Sequence, residues 1–96
     1  MRTIERTSAF KRDYKREKKG QYQKTVEQEL ITVLELLVKD EELPKKYCDH
    51  ALTGNMKKYR DCHVRPDLVL LYEKDDKGVI RVLRLIRLGS HSELGL

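Results

Sequence analysis

The chain has 96 residues, 39% of them apolar and 39% charged, with a single Phe and no Trp. That length supports one domain around one small core, and the scarcity of large aromatics leaves tyrosines and arginines to provide any stacking surface. The net charge of +5 is uneven, with +6 over 1–24, −4 over 25–49 and +3 over 50–96, so basic ends that meet in the fold would offer a positive face to nucleic acid or to an acidic protein partner.

In chain order, "RTIER" reads as a short first strand. Ser8 offers an N-cap to "AFKRDYKREKK", in which Phe10 and Tyr14 lie one turn apart, opposite Lys11, Arg12, Lys15, Arg16, Lys18 and Lys19. Gly20 breaks this helix, and "YQKTVEQELITVLELLVKDEEL" begins a second one with Tyr22, Val26, Leu30, Val33, Leu34 and Leu37 on one stripe. Glu27 and Glu29 suit its positive end. Asp40, Glu41 and Glu42 would sit badly at its negative end, so the helix should stop near Lys39, with Pro44 marking the exit.

"YCDHAL" then reads as a short edge strand, followed by a turn at Thr53-Gly54-Asn55. Three strands follow, "KYRDCHV", "DLVLLYEK" and "VIRVLRLIRL", separated by Arg65-Pro66 and by "DDKG". Short connections make consecutive strands antiparallel. The expected fold is α+β, a single domain over 1–96 in the order β-α-α-β-β-β. Two N-terminal helices pack on one face of an antiparallel sheet, with room for the short extra edge strand.

No apolar run approaches the roughly 20 residues that span a bilayer, and "MRTIERTSAF" lacks an apolar signal core, so a cytoplasmic location is expected. Cys48 and Cys62 do not define a disulfide framework in that compartment. Together with His50 and His63 they have the makings of a zinc set. In a strand, however, adjacent Cys62 and His63 point to opposite faces, so four ligands do not converge and no metal or cofactor is expected.

The stretch "YRDCHVRPDLVLLY" crowds titratable groups around a turn beside an apolar strand. Alternation puts Tyr59, Asp61 and His63 on one face and Arg60, Cys62 and Val64 on the other. In the last strand Arg81, Leu83, Leu85 and Arg87 share a parity, which an extended path would continue to His91. His50, His63 and His91 all fall near strand ends, with Asp67 at a turn and Arg87 late in a strand. Metal-free RNA cleavage needs such a set: a base for the 2′-hydroxyl proton, an acid for the leaving 5′-oxygen and a cation at the phosphate. Histidine serves both proton roles, and the Arg fork supplies charge and paired donors. Taken singly, each histidine and the strand arginine is more often a solvated surface group, Asp67 after Pro66 fits simple turn chemistry, and the helix-one cations are most simply a wet face.

"YCDHALTGNMKKYRDCHVRPDLVLLYE", followed by "IRLGSHSEL", resembles the YafQ subgroup of the RelE/ParE toxin superfamily, over nearly the whole chain. The resemblance implies two helices against an antiparallel sheet. It also implies ribosome-dependent, metal-independent cleavage of mRNA in the decoding site, and the protein would be the toxin of a bacterial toxin–antitoxin pair. By motif position it assigns His50, Asp61, His63, Asp67, Arg87 and His91 to the site. On that basis His91 is expected as general acid and Arg87 as the group stabilising the phosphorane. His50 or Asp67 is expected to take the 2′ proton, with His63 positioning or sharing that role.

Asp61 and the cations Lys11, Arg12, Lys15, Arg16, Lys18 and Lys19 are expected to face RNA, the cations holding ribosomal RNA phosphates. A cognate antitoxin that covers the site and folds on binding is the expected regulator. The family often carries Trp where this chain has Leu68, and Phe where it has Gly95. The competing expectation is a non-catalytic binding module, either a ParE-like inhibitor of a protein target or an antitoxin partner and co-repressor.

Overall fold

The computed structural model describes residues 1–20 and 24–96. It contains β1 (Thr3–Arg6), α1 (Ser8–Lys19), α2 (Val26–Val38), β2 (His50–Ala51), β3 (Arg60–Arg65), β4 (Leu68–Asp75), β5 (Val82–Gly89) and α3 (His91–Leu94). Single 3-10 turns, Lys45–Tyr47 and Gly54–Met56, lie before and after β2. The expected start of helix two around Tyr22 falls outside the described residues.

The five strands form one sheet in the order β1-β5-β4-β3-β2. The three long strands make the expected antiparallel meander. The sheet as a whole is mixed, because β1 runs parallel to β5, with Thr3 opposite Val82 and Arg6 opposite Leu85. The reason lies in the connection: α1, α2 and the rest of the sheet intervene between these strands, so no tight hairpin dictates their direction. Against an all-antiparallel expectation this is a correction.

Helix α1 is capped one residue earlier than expected. Thr7, not Ser8, occupies the N-cap, where its Oγ1 accepts from the Phe10 backbone N–H at 3.0 Å. Helix α2 stops at Val38, and Asp40 then adopts a left-handed φ of 57° that turns the chain away. Phe10, Val26, Leu30, Val33 and Leu37 from the helices meet Cys62, Val64, Leu68, Leu70, Tyr72, Leu83, Leu85 and Leu88 from the sheet to make the core. Each fully buried side chain of this kind contributes about 1.5–3 kcal/mol.

The irregularities in pairing matter for the site. A register shift between Leu71 and Tyr72 places Leu71 opposite Arg87 but Tyr72 opposite Leu85. Leu83 and Leu85 enter the core, whereas Arg87 does not. The expected shared parity from Arg81 to His91 therefore fails: the irregularity reverses the side on which Arg87 emerges, and β5 ends at Gly89 before α3 begins at His91.

Candidate functional site

Across the sheet, the pairing sets His50 opposite Asp61, Asp61 opposite Leu71 and Leu71 opposite Arg87. These four positions form one lateral row over four neighbouring strands, spanning about 14 Å at the usual strand spacing. The next pair of positions on the same side sets His63 opposite Val69 and Val69 opposite Gly89. The order of strands thus collects residues separated by up to 39 positions, His50 to Gly89, into one face.

His91 is placed by its own local structure. Ser90 caps α3 by accepting from the Glu93 N–H, and the Glu93 carboxylate accepts from the Ser90 N–H, a reciprocal capping box. Gly89 makes room for this turn: a Cβ there would lie 2.9 Å from Arg16 Nη2 and 3.1 Å from Glu93 Oε1. The His91 backbone N–H donates to Asp67 Oδ1 at 3.2 Å, and His91 Nδ1 lies 2.8 Å from the same oxygen. The hydrogen bonds from the His91 ring and backbone hold the Asp67 carboxyl below the ordinary carboxylate range. An ionised carboxylate only accepts, so Nδ1 of His91 carries a proton.

The other nitrogen of His91, Nε2, lies 3.3 Å from Nε2 of His63, with the rings edge to face. Such a contact needs one proton between two lone pairs, so one ring donates and the other accepts. His91 is thus held on one side by Asp67 and faces a second imidazole on the other.

His50 is held differently. Its Nδ1 lies 2.8 Å from the Cys48 carbonyl oxygen and 3.3 Å from Asp61 Oδ1. Both neighbours accept, so Nδ1 bears a hydrogen, and in the neutral ring the lone pair is on Nε2. Asp61 is only 3% exposed, and its Oδ1 has no hydrogen-bond partner among the described residues. The shorter contact to Cys48 takes the directional bond, and the Asp61 carboxyl lies beside the ring. Asp61, expected to face RNA, is 3% exposed and lies opposite His50 in the sheet.

Arg87 is anchored by a residue that the sequence pattern did not single out. Its Nε lies 2.6 Å from Asp13 Oδ2 and its Nη2 3.2 Å from Asp13 Oδ1. Asp13 also accepts from Arg16 Nη1 at 3.0 Å and from the Leu88 backbone N–H at 3.0 Å. Burial alone would raise the Asp13 carboxyl pKa, but the bonds from Arg87, Leu88 and Arg16 hold it below its usual value. Two nitrogens of Arg87 are committed to this fork, leaving its Nη1 side for a ligand. The available signal was Asp13 itself, one of only two acids in a strongly basic helix, three residues before Arg16.

The helix-one cations divide. Arg16 is tied to Asp13, Glu17, Glu93 and the Leu88 carbonyl, and Lys18 to Glu27. Lys11, Arg12, Lys15 and Lys19 are exposed, and no ion pair engages them among the described residues. Cys62 lies in the core, its thiol pKa pushed up by burial, while Cys48 is exposed. Leu68 also points into the core, and Gly95 closes α3 with φ 71°, so neither position presents a side chain that could stack on a base. No helix among the described residues is long and apolar enough to cross a membrane.

Residues 2–95 match the family model for YafQ, described as a bacterial toxin of type II toxin–antitoxin systems. The mRNA interferase toxin YafQ of Escherichia coli strain B is 37% identical over 93 residues, covering 97% of this chain and 95% of its own. A YafQ relative from Haemophilus influenzae is 42% identical over 66 residues, covering 69% of this chain. The aligned stretch spans 65% of that relative and 52% of a second Escherichia coli one, less than two thirds of either. Among solved structures, a chain of the Escherichia coli DinJ–YafQ complex superposes with a TM-score of 0.81 at 36% identity over 98% of both chains. A metal-bound toxin from Helicobacter pylori does so with a TM-score of 0.87 at 39% identity, over 98% of this chain and 99% of its own.

Proposed function

Because the chain belongs to the YafQ family of type II toxin–antitoxin toxins, we propose that it is an endoribonuclease that cuts mRNA held in the ribosomal decoding site and so halts translation. The observation that carries this reading is His91 set between the Asp67 carboxylate and the His63 ring. A histidine fixed on one nitrogen and aimed with the other is suited to deliver a proton at a defined point.

His50 Nε2 takes the proton of the 2′-hydroxyl, and the 2′-oxygen forms a bond to phosphorus. The phosphorus–5′-oxygen bond breaks, and His91, as imidazolium, gives the leaving 5′-oxygen its proton. The products are a 2′,3′-cyclic phosphate and a 5′-hydroxyl, and the two histidines have exchanged protonation states. Asp67, committed to His91 through two hydrogen bonds, is poorly placed to be the base, which favours His50 for that role. His63 accepts the His91 proton when no substrate is present and positions it. Arg87, through its Nη1 side, meets the charge that builds on the phosphorane.

Nothing in this cycle calls for a metal. The exposed Lys11, Arg12, Lys15 and Lys19 hold ribosomal RNA by charge, without sequence preference. By similarity to the YafQ of the DinJ–YafQ complex, the chain pairs with a cognate antitoxin that covers the site.

The test compares one defined mRNA free and bound to stalled ribosomes, with and without EDTA, on ribosomes kept intact by magnesium in excess of the chelator. Cleavage on the ribosome is expected to be unchanged by EDTA and at least about 10²-fold faster than on free RNA, because the ribosome holds the 2′-oxygen in line with the bond to be broken. Loss of cleavage with EDTA, restored by trace transition metal, would contradict the metal-free cycle. Equal rates on free and bound mRNA would contradict ribosome dependence.

A further inference from the structure

The wall that carries His63 continues into a cleft that the proton-transfer scheme does not use. It has a volume of about 440 Å³ and lies between α2, the Lys45–Tyr47 turn and the end of β3. It exists because β2 stops early: its two residues pair with Arg60 and Asp61, and beyond them the 3-10 turn replaces a strand beside His63. The volume suits a single small-molecule unit, within the usual range of about 300–1,000 Å³.

The lining is that of a site for a neutral planar group with a nearby anion. Tyr47 packs against the core and remains partly exposed. The Lys46 ammonium lies over the Tyr47 ring, 5.2 Å from its centroid, on a flexible stem. Thr32 supplies a hydroxyl, and Val64 and Pro66 supply apolar surface. The one carboxylate, Glu29, is neutralised by Arg65, whose Nε lies 2.6 Å away and whose Nη2 also donates to Thr25. Glu29 and Arg65 thus balance each other, and Lys46 is the cation over the ring.

We propose that this cleft is a nucleotide subsite, in which one base of the RNA flanking the cut phosphate displaces the Lys46 ammonium from the Tyr47 ring and stacks there, while Lys46 swings out to meet its phosphate. The proposal rests on the endoribonuclease reading of the adjoining histidines. A chain whose scissile phosphate lies at His63 and His91 must send a neighbouring nucleotide past His63, and the cleft opens there. Stacking on a tyrosine ring is tolerant of base identity, whereas Thr32 and Glu29 offer hydrogen-bonding groups able to prefer one base edge over another.

The four nucleoside 5′-monophosphates, added singly to the isotopically labelled free protein, provide a test that does not need cleavage. Backbone amide shifts are expected at Thr32, Tyr47 and Val64, saturating for at least one nucleotide. The affinity should be retained in Tyr47→Phe, fall about tenfold in Tyr47→Ala and fall to a lesser extent in Lys46→Ala. On ribosome-bound mRNA, Tyr47→Ala should redistribute the cut sites while His50 and His91 remain in place. No shifts in the cleft, or shifts that Tyr47→Ala and Lys46→Ala leave unchanged, would overturn the proposal even if the wild type cuts RNA. Shifts there produced by the antitoxin and by none of the nucleotides would assign the cleft to a protein partner and overturn it equally. Nucleotide binding in the cleft of a wild type that cuts no RNA would sustain the subsite and sink the nuclease reading.

Discussion

Replacing His50 by alanine is expected to slow cleavage on the ribosome by about 10²- to 10⁴-fold, the usual contribution of one proton-transfer group, with KM little changed. Asp61→Asn should lower kcat as well, by a smaller factor, because the buried carboxylate 3.3 Å from His50 Nδ1 stabilises the imidazolium formed as the 2′ proton arrives. The two changes are expected not to multiply. Once His50 is gone, Asp61 has no charge to stabilise, so Asp61→Asn in the His50→Ala background should cost almost nothing further. Single-turnover rates for wild type, both single variants and the double variant measure the coupling. Losses that multiply would show that Asp61 acts elsewhere, and a raised KM with kcat retained would make it a binding group.

Asp13→Ala should produce the largest loss of stability. Four donors converge on that one carboxylate, and the Leu88 N–H among them is buried, so its removal is expected to cost about 2–3 kcal/mol and to lower Tm by about 10–20 °C. Asp13→Asn keeps the shape and one acceptor and should cost less. The pH dependence has a definite sign. The folded-state pKa of Asp13 lies below its ordinary value of 3.8, so its contribution is complete above about pH 4 and is lost as pH falls through the folded value. Wild type should therefore lose stability on acidification below about pH 4, and Asp13→Asn should lose less over the same range. Calorimetry of both proteins between pH 3 and 7 would measure this, and parallel curves would contradict it. Because Arg87 hangs on the same carboxylate, Asp13→Asn should also slow cleavage at temperatures where it is fully folded.

The long periodic elements were legible in the sequence because each has a reason to form that is local. The α2 stripe, the apolar run of β4 and the Arg65-Pro66 turn each carry their own signal, and the structure follows them within a few residues. The direction of β1 was not legible, since it is fixed by a pairing with β5 nearly 80 residues away. The side on which Arg87 emerges depends on one shift in register, which alternation counted from the strand's start cannot reveal.

The site was readable as a set of residue types and only partly as an arrangement. His63, Asp67 and His91 come together because the turn after β3 and the capping box of α3 lie side by side. Asp13, by contrast, looked like one acid among helix cations, and only tertiary contact shows that it organises Arg87 and Arg16. Asp61 carried the opposite lesson: its motif position suggested a role toward RNA, and the structure has it buried beside His50.

The most direct test of the central claim is to map new 5′ ends on a defined mRNA held by stalled ribosomes, with wild type and His91→Ala side by side. The account predicts cuts at defined positions by the wild type, leaving 2′,3′-cyclic phosphate and 5′-hydroxyl ends, and a loss of about 10²- to 10⁴-fold in the variant. Cleavage by His91→Ala at the wild-type rate would remove histidine acid catalysis from the account. Absence of cleavage by either protein would leave a toxin-like binding module.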